Sequence, residues 1–216
     1  MKLYNSLGPN PRLVRMFMLE KGISVPTEEI DIIGGENRRA PYTEKNPAGQ
    51  MPCIALDDGR ILSETIAICE YLEEKHPKPA LVGSTPEERA ETRMWLRRIE
   101  LGITENLYNG FRFAEGKPMF ESRLKVIPQA ADDLKATARE RLAWLDEQRK
   151  GAQWICGDRF SLADIALFVA LEFGATVGQP TDPKLPWVNE WLKRVAARPS
   201  AQASLHPKAV AAGMKG

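Results

Sequence analysis

Three short stretches hold the residues with which this chain could do chemistry. The first is Asn5-Ser6-Leu7-Gly8-Pro9-Asn10-Pro11. Asn10 suits a helix N-cap and Pro11 the first helical position, where a missing N–H is no loss. The free amides of such a first turn, with the helix dipole, favour a negative charge. Ser6 is the only hydroxyl of this loop; Asn10, taken alone, does no more than cap a helix. The second stretch is Asn46-Pro47-Ala48-Gly49-Gln50-Met51-Pro52. A proline at the start of a strand can follow a cis bond and turn the Met51 backbone outward as an edge on which an extended ligand pairs. The third is Ser63-Glu64-Thr65, where Ser63 can cap a helix and Glu64 can sit in its first turn against the dipole.

Other chemistries are excluded by what is missing. Cys53, Cys69 and Cys156 are far apart and form no CxxC pair; each reads as a small buried hydrophobe. His76 and His206 are the only histidines and each precedes a proline, so no metal site is expected. Lys and Arg number 30 against 29 Asp and Glu, a net charge of +1, which argues against nucleic acid or an anionic membrane as partner. The longest apolar stretch, Ile165–Leu171, is too short for a membrane span. No signal peptide is visible, and the cysteine usage fits a reducing cytoplasm.

These stretches need elements to position them. Lys2–Tyr4 reads as a short strand. A helix follows with Leu13, Val14, Phe17 and Met18 on one side and Gly22 at its end. Thr27–Ile32 reads as a second, parallel strand. Cys53–Leu56 and Arg60–Leu62 flank Asp57-Asp58-Gly59, a hairpin signal, and a helix is expected over Glu64–Lys75. The fold class is therefore α/β, with βαβ-ββα order and a mixed four-stranded sheet, followed by an all-α domain. His76-Pro77-Lys78-Pro79 breaks the last helix. We divide the chain into an α/β domain over 1–78, a linker over 79–86 and a helical domain over 87–216. Helices are expected over Glu87–Glu115, from Phe120 towards Arg149 with a bend near Pro128, over Ser161–Gly174, and over Pro186–Ala197. The Ala-rich tail after Pro199 shows no anchor. Phe160-Ser161-Leu162-Ala163-Asp164-Ile165 carries a capping box, with Asp at N3, and a hydrophobic staple.

The chain resembles the cytosolic glutathione S-transferases. The likeness rests on Pro9-Asn10-Pro11-Arg12-Leu13-Val14-Arg15, Gly35-Glu36-Asn37-Arg38-Arg39, Asn46–Pro52, Leu62-Ser63-Glu64-Thr65-Ile66-Ala67-Ile68 and Gly157–Ile165. It implies a thioredoxin-like domain before the helical one, a two-fold homodimer, glutathione as co-substrate, and no tightly bound cofactor. Glu64 and Thr65 would hold the γ-glutamyl end of glutathione and Met51 would pair with its cysteinyl unit beside a cis Pro52. Gln50 and Asn37 would reach the glycine carboxylate, with Arg38 or Arg39 assisting.

The resemblance departs from the family where the thiolate is held. Members usually place a Tyr, Ser or Cys at the first strand–helix junction; here the serine position falls on Gly8 and the cysteine position on Asn10. Tyr4 lies inside the strand. The chain is thus similar to a bacterial and fungal subclass in which helix amides and water hold the sulfur, with Asn10 and Ser6 as the nearest side chains. Tyr108, Phe111, Arg112 and Phe113 form an aromatic cluster with one cation, expected either to receive a small hydrophobic electrophile or to be helix-bundle core. The leading function is conjugation of glutathione to that electrophile. The alternative is a non-catalytic binding or regulatory protein on the same fold.

Overall fold

In a computed structural model that describes residues 1–216, the four apolar runs of the first third become strands β1 (Lys2–Asn5), β2 (Thr27–Glu29), β3 (Cys53–Ala55) and β4 (Ile61–Ser63). They form one sheet in the order β2-β1-β3-β4. β1 and β2 are parallel, and the other two pairs are antiparallel. The register Tyr4↔Cys53↔Ser63 puts the end of β1, the start of β3 and the end of β4 at one edge of the sheet. The three chemistry-bearing stretches therefore leave the sheet side by side.

Helix α1 (Pro9–Lys21) connects β1 to β2, α2 (Tyr42–Lys45) is a single turn before β3, and α3 (Thr65–Lys75) follows β4. Val14, Phe17, Ile68 and Leu72 have 0% exposure, and α1 packs on α3. A buried ion pair fixes the far ends of those helices: Lys21 Nζ meets Glu73 Oε2 and donates to Pro79 O at 2.6 Å, while Glu73 Oε1 accepts from Val82 N at 2.9 Å.

The chain divides into two compact units, Met1–Val82 with Arg198–Gly216, and Gly83–Ala197. This differs from a helical domain running to residue 216. The tail is anchored after all, in the α/β unit, and its anchors lie nearly two hundred residues earlier in the sequence. Arg198 and Ser200 bond Glu20, and His206 Nε2 lies 3.0 Å from Glu29 Oε2.

The helical unit contains α4 (Pro86–Ile99), α5 (Glu105–Phe113), α6 (Lys117–Phe120), α7 (Ala131–Gln148), α8 (Leu162–Thr176) and α9 (Pro186–Ala196). The tail adds α10 (Pro199–Ala203) and α11 (Pro207–Ala211) to the first unit. The single helix expected over Glu87–Glu115 contains a π-helical turn at Glu100–Thr104. Likewise, the segment from Phe120 to Arg149 is not one bent helix: α7 starts only after a 3-10 turn at Pro128–Ala130. α8 forms the core of this unit, and its expected capping box is present. Asp164 Oδ2 accepts from the N–H and the hydroxyl of Ser161, each at 2.9 Å, and Oδ1 accepts from Ile155 N at 2.9 Å and Trp191 Nε1 at 2.8 Å. One fully buried carboxylate thus joins the α8 amino terminus to α9 and to the preceding loop.

Candidate functional site

The amino terminus of α1 differs from expectation by two residues. Gly8 is the N-cap, with φ 118°, and Pro9 begins the helix, so Asn10 sits within the first turn and caps nothing. Both prolines fit the first turn, and a glycine can take the left-handed conformation that the tight connection from β1 requires. The shift changes the inventory of donors. Pro9 and Pro11 have no N–H, and Arg12 N is taken by Gly8 O at 3.1 Å. The helix therefore offers the Asn10 amide alone, with that of Gly8 before it, rather than a full turn of amides.

Ser6 is buried, and its hydroxyl donates to Ile30 O at 2.7 Å. Its proton is used to join the loop to the segment after β2. Tyr4 is buried in β1 with its ring edge-on to Tyr42, 6.3 Å between centroids. It belongs to the core, as its place in the strand implies.

On the second stretch, the Met51–Pro52 bond is cis. Ladder pairing of β3 begins at Cys53, which leaves the Met51 backbone outside the sheet as a free edge. Two residues to which the sequence analysis assigns no role hold that edge in place. Gln50 O accepts from the Tyr42 hydroxyl at 2.6 Å and from Asn46 Nδ2 at 2.9 Å, while the Gln50 side chain is exposed. Burial raises the Tyr42 hydroxyl above its ordinary pKa, so it remains a donor. Asn46 belonged to a quoted motif; Tyr42 had no local signal. Asn37 is 2% exposed, and its amide donates to Gly49 O at 2.6 Å, leaving Oδ1 without a partner. Gly49 has φ 61°, and a Cβ there would lie 2.9 Å from Asn37 O. Asn37 and Gly49 thus brace each other beneath Gln50. Arg38 reaches Ala48 O at 3.3 Å and Arg39 reaches Gly34 O at 2.9 Å.

The third stretch departs from expectation in a useful way. Glu64, not Ser63, is the N-cap residue of α3, no side chain caps the helix, and its first turn carries no acid. Glu64 has φ 71° and is the one non-glycine residue with a positive φ. Such a backbone costs about 1–2 kcal/mol for an L-residue. Glu64 is exposed and lies beside the two other polar stretches. Thr65 opens α3 with its N–H pointing out of the helix start.

In the helical unit, Tyr108 and Phe111 pack edge-on against Phe173 at 5.9 and 5.3 Å, and Phe111 also meets Phe120 at 6.1 Å. Arg112 lies 5.8 Å from both the Tyr108 and Phe120 rings and donates to Asn109 Oδ1 at 3.0 Å. Phe113 ends α5, half-buried. The cluster is real, and much of its aromatic surface is used within the unit. The three cysteines are free and buried, and burial raises each thiol above its ordinary value. No group of His, Cys, Asp and Glu is placed to hold a metal ion.

Comparison with known proteins agrees with this arrangement. Residues 3–80 match the model of the glutathione S-transferase N-terminal domain and residues 118–199 that of the C-terminal domain. Glutathione S-transferase 2 of Saccharomyces cerevisiae is 30% identical, over 90% of this chain and 84% of that protein. FtsZ-localized protein A of Caulobacter vibrioides is 30% identical over 89% and 85%. A solved glutathione S-transferase domain-containing protein from Marinobacter aquaeolei superposes with a TM-score of 0.87 at 35% identity, covering 93% of this chain and 99% of that one.

Proposed function

The chain belongs to the glutathione S-transferase family, and on that premise we propose that it conjugates the glutathione thiolate to a small hydrophobic electrophile. The observation that carries the reading is the Tyr4↔Cys53↔Ser63 register, which brings the segments leading to Asn10, Met51 and Glu64 off one edge of the sheet. Glu64 takes the γ-glutamyl ammonium, the Thr65 amide and hydroxyl take its carboxylate, and the Met51 edge pairs with the cysteinyl unit. Gln50, exposed on a fixed backbone, takes the glycine carboxylate. Asn37 is assigned to bracing Gly49 rather than to contact with the ligand, because it is buried and its amide already bonds Gly49 O at 2.6 Å.

A thiol with pKa near 8.5 must fall below 7 to be mostly ionised, about 2 kcal/mol of differential stabilisation. With Ser6 committed inward and two prolines in the first turn, the donors are the Gly8 and Asn10 amides, the Asn10 side-chain NH2 and water. A charge-assisted bond contributes about 1.5–3 kcal/mol, and the helix dipole adds to it. The thiol proton goes to solvent on ionisation; the thiolate then bonds to the electrophilic carbon, and the bond from that carbon to its leaving group breaks, the group departing with the electron pair (chloride from a chloro-arene). No metal or tightly bound cofactor takes part; the protein supplies ionisation and proximity. Tyr108, Phe111, Arg112 and Phe113 border the electrophile, with Arg112 favouring electron-poor or anionic substrates.

We place the enzyme in the cytoplasm, in a detoxifying role, as a homodimer. Support for self-association comes from the helical unit. Exposed Leu101 and Trp144 line a groove of about 600 Å3 with Arg97, Arg98 and Arg141, a mixed apolar and cationic face suited to a partner. Light scattering should give twice the 24.2 kDa chain mass.

A second reading, a non-catalytic binding or regulatory protein, is favoured by the scarcity of thiolate donors and by a relative named for localisation to FtsZ. Retention on glutathione-agarose together with turnover of a chloro-arene supports the enzyme. Retention without turnover supports the second reading, and neither result supports either.

A further inference from the structure

The loop carrying Gly8 and Asn10 is tied down from below by arginine. Arg15, two turns into α1, donates from Nη1 to Asn5 Oδ1 and to Ser6 O, each at 2.8 Å, and from Nε to Ser204 O at 2.9 Å. Arg12, with 0% exposure, donates from Nε to Ser204 Oγ at 3.2 Å and from Nη2 to Ala201 O at 2.9 Å. The two guanidiniums therefore meet on a single buried residue, Ser204, one at its hydroxyl and one at its carbonyl.

Arg15 has no carboxylate within ion-pair distance, and its Nη2 is buried with no acceptor. The charged groups near it are Arg12, which opposes its protonation, and Glu29, which favours it. Glu29 is itself engaged by Asn5 Nδ2 and His206. Burial lowers Arg15 to about 10, so it is charged at neutral pH. A cation this poorly compensated is costly to bury, and a simple core would be served as well by an apolar residue. What only the planar fork supplies is a fixed position for Asn5 and Ser6, the two residues that lead into Gly8.

We propose that Arg15 is a positioning residue for the thiol site, its fork holding the Asn5–Ser6 backbone so that the Asn10 amide faces the sulfur. The inference rests on the transferase reading and deepens it. Arg15→Met and Arg15→Lys, the latter keeping the charge without the fork, are compared with the wild type. The readouts are the ultraviolet absorbance of bound glutathione against pH and the KM for glutathione. Both variants should raise the pKa of the bound thiol by about one unit, or tenfold in ionisation, with KM changed less than about threefold. An unchanged thiol pKa in Arg15→Met, or its full restoration by lysine, overturns the proposal. So does a large rise in KM with the pKa unmoved. If Arg15→Met does not fold, Asn5→Ala removes one acceptor of the fork and must move the pKa in the same direction; no shift there overturns the proposal too. A wild type that neither binds glutathione nor lowers its thiol pKa defeats the transferase reading itself, which a normal wild type with unmoved variants does not.

Discussion

Replacing Glu64 by glycine and by alanine separates what its backbone does from what its carboxylate does. At φ 71° the backbone strain is about 1–2 kcal/mol. Glycine relieves it and gives back about 0.5–1 kcal/mol through the greater freedom of the unfolded chain. The Glu64→Gly protein should therefore be more stable by about 0.5–1 kcal/mol, or about 1–4 °C in Tm. Alanine keeps most of the strain and should leave Tm nearly unchanged. Both variants leave the γ-glutamyl ammonium without its carboxylate, a loss of about 2–4 kcal/mol, or about 30- to 900-fold in Kd. Thermal unfolding without ligand and calorimetric titration with glutathione measure the two effects independently. Stability and affinity should move in opposite directions in the glycine variant alone. If both variants bind within about threefold of the wild type, the ammonium does not lie at Glu64. If Glu64→Gly is less stable by more than about 1 kcal/mol, the backbone there is not strained.

Ser6→Ala leaves Ile30 O without its partner and should cost about 1–3 kcal/mol in urea unfolding, with turnover reduced by less than about two decades. Asn10→Ala, whose side chain caps nothing, should change stability by less than about 0.5 kcal/mol while raising the pKa of bound thiol. Asp164→Ala abandons four buried donors and should cost at least about 3 kcal/mol. Burial outweighs those donors and holds the Asp164 carboxyl above its usual value, so the folded chain binds that proton more tightly than the unfolded chain. That contribution to stability is complete below the unfolded pKa of about 3.9, is lost as pH rises through the raised value, and is flat above it. The substitution should remove that slope from unfolding curves measured across acid pH.

Features set by neighbouring residues were legible in advance. Asp57-Asp58-Gly59 specified the hairpin, Ser161 and Asp164 specified the box, and Gly22 ended α1 where expected. The first turn of α1 was misplaced because the local rule was ambiguous: Asn10 before Pro11 and Gly8 before Pro9 both satisfy it, and only the path of the chain from β1 chooses between them. The π turn at Glu100–Thr104 contains no proline to announce it. The candidate stretches stand out by residue type, yet what fixes them in place does not. Tyr42, Arg15 and Ser204 act by donating or accepting across the tertiary structure, and the anchors of the tail are separated from it by most of the sequence. The left-handed backbone of Glu64 was equally invisible, since glutamate has no preference for it.

The closure of the first unit by Arg198–Gly216 has a consequence for synthesis. Arg12 and Ser204, joined at 3.2 Å, are 192 residues apart, and at about 5–20 residues per second the ribosome needs roughly 10–40 s to make the second after the first. During that interval the sheet and α1 can form and Arg15 can bond Asn5 and Ser6, but the acceptors that Ala201 and Ser204 supply to Arg12 and Arg15 do not yet exist. The nascent protein thus spends that time with both guanidiniums short of their tail acceptors, beside the segment that leads into Gly8. The Gly83–Ala197 unit is compact through contacts within itself, and all of it is made before that tail. Loss of the chain after Ala197 therefore takes the Ala201 and Ser204 acceptors away from Arg12 and Arg15, the arginines beneath the segment that leads into Gly8.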